Sequence, residues 1–85
     1  MNKVDGALRR ASRKDADAEL QVIVHTDDAH ARLPSLKKQG LRVRRVIGLT
    51  QTVAGTCRAG NVDDLAQLPF VRRIELDRPV RATRR

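Results

Sequence analysis

The chain has 85 residues, with 18 lysines and arginines against 10 aspartates and glutamates, a formal net charge of +8. That length allows one small domain, and a single cysteine, Cys57, excludes a disulfide framework to reinforce it. The apolar run Val22-Ile23-Val24 is far too short for a secretory h-region or a membrane span, so no membrane partner is expected and a cytoplasmic location is the default.

In chain order, residues 1–19 form an N-terminal extension. Val4, Ala7, Leu8 and Ala11 fall at helical spacing, but Gly6 weakens the helix and Lys14 to Glu19 reads as a solvated linker. Leu20 to Thr26 is the first strand, with Leu20, Val22 and Val24 on one face and Gln21, Ile23 and His25 on the other. Thr26-Asp27-Asp28 offers a helix N-cap. Pro34 means that the helix either kinks or begins its regular part near Leu33, and Gly40 stops it.

Leu41 to Leu49 reads as a second strand whose alternation slips at Arg45-Val46-Ile47, where a bulge fits. Thr50-Gln51-Thr52 is the expected hairpin turn. Val53 to Ala59 is the third strand, with Val53, Gly55 and Cys57 on one face. Asn61 caps a second helix that carries Asp63 and Asp64 in its first turn, and Pro69 ends it. Val71 to Asp77 is the fourth strand. The order strand, helix, strand, strand, helix, strand is the split βαβ pattern of a ferredoxin-like α+β sandwich. Residues 20–80 form that domain, two helices cover one face of a four-stranded antiparallel sheet, and residues 81–85 form an extended basic tail. Exposed strand edges allow a monomer or a weak dimer.

Catalytic chemistry does not assemble in this sequence. There is no Gly-x-Ser-x-Gly and no phosphate loop, and the histidines His25 and His30 lie far from Cys57 in the chain. Cys57 reads as a small buried hydrophobe on the third strand. The possible metal ligands do not cluster. No enzyme, metal or cofactor is expected. The positive charge is uneven: from Ala29 to Val62 there is no acid, while Arg32, Lys37, Lys38, Arg42, Arg44, Arg45 and Arg58 are basic. A nucleic-acid interface through Arg42, Arg44, Arg45 and Arg58 is therefore one reading. It lacks a stacking platform, because the only aromatic, Phe70, precedes the fourth strand and is expected in the core.

The fourth strand supplies the other reading. Ile74 and Leu76 point one way and Glu75 and Asp77 the other, beside Arg73. Two carboxylates about 7 Å apart on a strand can each meet a helix N-terminus, where unpaired N–H groups favour negative charge.

Three segments together, Thr52 to Ala59, Val62 to Leu68 and Phe70-Val-Arg-Arg-Ile-Glu-Leu-Asp77, resemble the propeptides of subtilisin-like serine proteases and the related stand-alone inhibitors. Val4 to Arg10 followed by Leu20 to Val24 resembles the short helix that precedes the domain in bacterial members. The resemblance implies a protein-binding inhibitor or folding chaperone of a separately encoded subtilisin-like protease. Its open sheet face would dock on two surface helices of the enzyme, with Glu75 and Asp77 as their caps. Its tail would enter the substrate cleft as an added strand, with Val80, Arg81, Ala82 and Thr83 in the subsites. Pro79 and Thr83 depart from the larger apolar side chains that such clefts prefer.

Overall fold

A computed structural model describes residues 3–77. Its elements are α1 (Gly6–Lys14), β1 (Glu19–Thr26), α2 (Leu33–Lys38), β2 (Arg42–Ile47), β3 (Thr52–Arg58), a 3-10 turn (Ala59–Asn61), α3 (Val62–Ala66) and β4 (Val71–Leu76). The strands form one sheet in the order β2-β3-β1-β4, with antiparallel neighbours throughout. This is the α+β arrangement of a ferredoxin-like sandwich.

Alternation along the strands decides the two faces. Val22 stands opposite Gly55 and Leu76, and Val24 opposite Val53 and Ile74, so these residues share one side. Leu8 of α1, Leu36 of α2, and Val62 and Leu65 of α3 join them in a single buried cluster. All three helices therefore lie on that side. None exceeds nine residues, too short to persist alone in water, so each depends on its buried side chains.

The N-terminal segment is built into this structure. Val4 forms a parallel bridge to Ile74, with the Asp5 N–H donating to the Ile74 carbonyl at 2.9 Å and the Ile74 N–H donating to the Lys3 carbonyl at 2.9 Å. This strip covers part of the outer edge of β4, which would otherwise present unpaired backbone groups. Asp5 then caps α1 by accepting from the Ala7 N–H at 3.1 Å. The segment between α1 and β1 is exposed, yet the Gly60 and Ala59 N–H groups donate to the carbonyls of Ala16 and Ala18 at 2.9 and 2.8 Å.

Residues 27–32 form bends and turns, and the first helix of the sandwich begins at Leu33 with Pro34 in its first turn, the second of the two arrangements that Pro34 allows. Other local expectations are corrected. The Asp27 carboxylate is taken by Arg32, through Nε at 2.9 Å and Nη2 at 3.0 Å, instead of by a helix N-terminus. The hairpin turn falls at residues 48–51, one strand residue earlier than the polar Thr50-Gln51-Thr52 suggests. Asn61 precedes α3 but makes no capping hydrogen bond; its amide lies against Gly40, where a β-carbon would overlap it and where φ is +101°. Phe70 is half-buried against the core, with the Arg32 guanidinium 4.6 Å above its ring.

Gln51 carries the hairpin's backbone strain. Its φ of +54° lies in the left-handed region, which costs a residue with a β-carbon roughly 1–2 kcal/mol. Two contacts hold it there. The Thr26 N–H donates to its carbonyl at 3.0 Å, and the N–H of buried Ala29 donates to its Oε1 at 2.7 Å. Gln51→Ala strands the Ala29 donor and should cost about 1–2 kcal/mol in a denaturant melt. Gln51→Gly loses the same bond but relaxes the backbone, so it should be the milder variant; a glycine variant worse than the alanine one would refute this account.

Asp27 gives a pH-dependent test. Its hydrogen bonds to Arg32 hold the carboxyl down to about 2, from an ordinary 3.8. A depressed folded-state value means that its contribution to stability is complete above the unfolded value and is lost as the pH falls through about 2. An NMR titration of the Asp27 side chain should show the low midpoint, and Arg32→Ala should restore the ordinary one.

Candidate functional site

The second face of the sheet carries no helix among the described residues. Register assigns its side chains row by row. Arg42 lies opposite Thr56, which lies opposite Gln21; Arg45 lies opposite Ala54, which faces Ile23, which in turn faces Glu75. His25 pairs in register with Thr52 on one side and Arg73 on the other. Basic residues thus occupy the β2 side, small residues the β3 row, and Glu75 and Asp77 the β4 side.

Glu75 on β4 and Asp77 just beyond its end stand on the same face, but their surroundings differ. The Glu75 Oε2 meets His25 Nε2 at 2.5 Å, with both side chains about one-third exposed, and Arg73 Nε lies 4.0 Å from the same oxygen. Arg73 also reaches the other way, from Nη2 to the Asp5 Oδ1 at 3.2 Å. Glu75 is therefore the centre of a small polar cluster that a partner must join or displace. Asp77 has its backbone fixed, its N–H donating to the Gln21 carbonyl at 2.8 Å, and its side chain lines a cavity on the open face together with Arg44, Arg45 and Ala54. Val80, Arg81, Ala82 and Thr83 lie outside the described residues.

The arginines named for a nucleic-acid interface do not act as one free group. Arg42 crosses the small Thr56 row to an ion pair with Glu19. Arg44 crosses in the same way, its Nη1 3.2 Å from the Gln21 Oε1. Arg45 and Arg58 are exposed, with no ion pair among the described residues. A surface pair of this kind is worth little in stability, but it fixes where each guanidinium sits.

Cys57 is 3% exposed on the helix-covered side, and burial pushes its thiol up to about 11. His25 stands on the opposite face, so the sheet itself separates the two. No group of three or more possible metal ligands occurs among the described residues. No helix among the described residues is long and apolar enough to cross a membrane.

Sequence reasoning placed the two carboxylates on the open face but missed the His25 contact, which depends on the β1–β4 register across 50 residues of chain. The available signal was the alternation that puts Ile23 and His25 opposite Val22 and Val24. No protein-family model matches the chain, and no match was found among curated proteins.

Proposed function

We propose that this chain is a protein-binding module of the subtilisin-propeptide kind, an inhibitor or folding chaperone of a subtilisin-like serine protease, and no enzyme. The observation that carries the reading is the sheet face that no helix covers among the described residues, where Glu75 of β4 and Asp77 just beyond it both stand. A four-stranded surface with an apolar centre at Ile23 and Ala54 and charges at its two sides has the anatomy of a docking patch. The acids suit the positive ends of partner helices, and the Glu75 cluster gives a partner a fixed geometry to meet. The tail from Val80 to Thr83 supplies the cleft-binding segment in this reading.

Titrating the protein against subtilisin while following peptide hydrolysis tests it. Inhibition at micromolar protein or below is expected. Glu75→Ala with Asp77→Ala should weaken it by roughly 10- to 100-fold, since each charge-assisted contact is worth about 1.5–3 kcal/mol less its desolvation. Deletion of residues 80–85 should weaken it further. Unchanged hydrolysis at excess protein would refute the proposal.

The exposed Arg44 and Arg45 favour a second reading, a nucleic-acid-binding module using Arg42, Arg44, Arg45 and Arg58. It requires an affinity that falls steeply with salt, and a gel shift absent at low salt removes it. Against it stand the Arg42–Glu19 pair and the carboxylates of the same face.

A further inference from the structure

The β2 bulge creates a feature that the docking reading does not use. In a regular strand Arg44 and Arg45 would point to opposite faces. Here Val43 pairs with Gly55 and Arg45 with Ala54, so Arg44 is the extra residue and the register shifts around it. Such a bulge re-aims side chains, and both arginines are exposed. Across from them β3 presents only Ala54, whose methyl leaves the surface open. The result is a cavity of about 130 Å³ bounded by Arg44, Arg45, Ala54 and Asp77.

Arg44 is positioned by Gln21, a neutral amide that leaves its charge uncompensated. Arg45 has no ion pair among the described residues. Two guanidinium groups therefore border one recess, and their planar forks match the two oxygens of a carboxylate.

We infer that this recess receives the carboxylate of an aspartate or glutamate side chain projected by the docked protein. The inference rests on the open face being a protein-docking surface, though not on the partner being a protease. A carboxylate fits better than a phosphate backbone for two reasons on the same face. Asp77 lines the recess and Glu75 lies next along β4, so a continuous polyanion would run past both acids, whereas a single carboxylate held by the two guanidinium groups faces Asp77 alone. The face also has no aromatic side chain on which a base could stack, because Phe70 lies beneath Arg32. A partner that fits presents an acid towards β2 and positive groups towards β4.

Fluorescence anisotropy of a labelled glycine-serine peptide carrying one glutamate and an amidated C-terminus tests this at about 0.15 M salt and neutral pH. Arg44→Ala with Arg45→Ala should weaken binding by about 10-fold, the equivalent of about 1.4 kcal/mol. Arg13→Ala with Lys14→Ala removes the same charge from the exposed end of α1 and should change binding by less than about 2-fold, since at this salt charge beyond about 8 Å is largely screened. Ala54→Leu fills the recess at unchanged charge and should weaken binding as much as the double arginine variant. Matched circular dichroism melts confirm that each variant is folded.

Equal losses from the two double variants, or wild-type binding by Ala54→Leu, would overturn the inference. So would a labelled dT12 strand that binds more tightly than the peptide and loses more affinity on Arg44→Ala with Arg45→Ala, which would assign the recess to phosphate. If the peptide ignores Arg44 and Arg45 while Glu75→Ala with Asp77→Ala abolishes protease inhibition, the inference fails and the docking face stands. If the peptide depends on them while subtilisin is not inhibited, the protease reading fails and the recess stands.

Discussion

Leu8→Ala should destabilise the protein by about 3 kcal/mol, the middle of the range for removing a buried leucine side chain. The residue belongs to a stretch that composition presents as a marginal helix with a solvated linker. In the fold it is 0% exposed and packs in the same cluster as Val22, Val24 and Ile74. The two short helices of the sandwich, α2 and α3, have six and five residues and cover little of the sheet by themselves. α1 supplies the remaining cover, and the Val4–Ile74 bridge delivers it to the right place. A domain of this size holds roughly 0.1 kcal/mol of stability per residue, so the loss takes away a large part of the total. At about 5 °C per kcal/mol the midpoint should fall by roughly 15 °C. The chain has no tryptophan or tyrosine, so the melt is followed by circular dichroism. Arg10→Ala, on the exposed side of the same helix, should shift stability by less than about 0.5 kcal/mol. A Leu8→Ala melt indistinguishable from wild type would mean that α1 is not docked.

Gly55→Ala is the second large effect, expected at about 2–3 kcal/mol because the new methyl overpacks a closed site. A β-carbon there would overlap the Arg42 carbonyl oxygen and lie 3.1 Å from the Leu41 Cδ1. Leu41 is 1% exposed and lies over the glycine, so neither neighbour has room to yield. The carbonyl belongs to the β2 backbone, and moving it loosens the β2–β3 pairing. Hydrogen exchange should therefore quicken at Val43 and Val46 before it does so in β1. Gly6→Ala provides the contrast. Its β-carbon would meet only the end of the Arg10 side chain at 3.6 Å, and the better helix former should stabilise α1 by about 0.5–1 kcal/mol. Equal effects from the two substitutions would argue against the close approach at Gly55.

The parts of this fold that could be read in the sequence are those fixed by short-range pattern. Val22 and Val24 against Ile23 and His25, and Ile74 and Leu76 against Glu75 and Asp77, declare their faces by alternation alone. The element order follows from punctuation at Gly40, Gly60 and Pro69. What could not be read depends on which residues the folded chain brings together. The His25–Glu75 contact needs the register of two strands 50 residues apart, a register that itself shifts between His25 and Thr26. The docking of α1 rests on two apolar side chains, Val4 and Leu8, too few to mark a helix as core. Gln51 holds a positive φ through bonds to Thr26 and Ala29, where sequence alone favours glycine or asparagine. The bulge was visible as a slip in alternation, but its exact position decides that Arg44 and Arg45 share a face.

The open sheet face is the part of the proposal from which the others follow, and it can be mapped directly. Adding active-site-blocked subtilisin to the ¹⁵N-labelled protein should broaden or shift the amides of Gln21, Ile23, His25, Ala54, Thr56 and Glu75. Those of Leu33–Lys38 and Val62–Ala66, on the helix-covered side, should hold their positions. Perturbation confined to those helices, or none at stoichiometric protease, would contradict the assignment of that face as the docking surface.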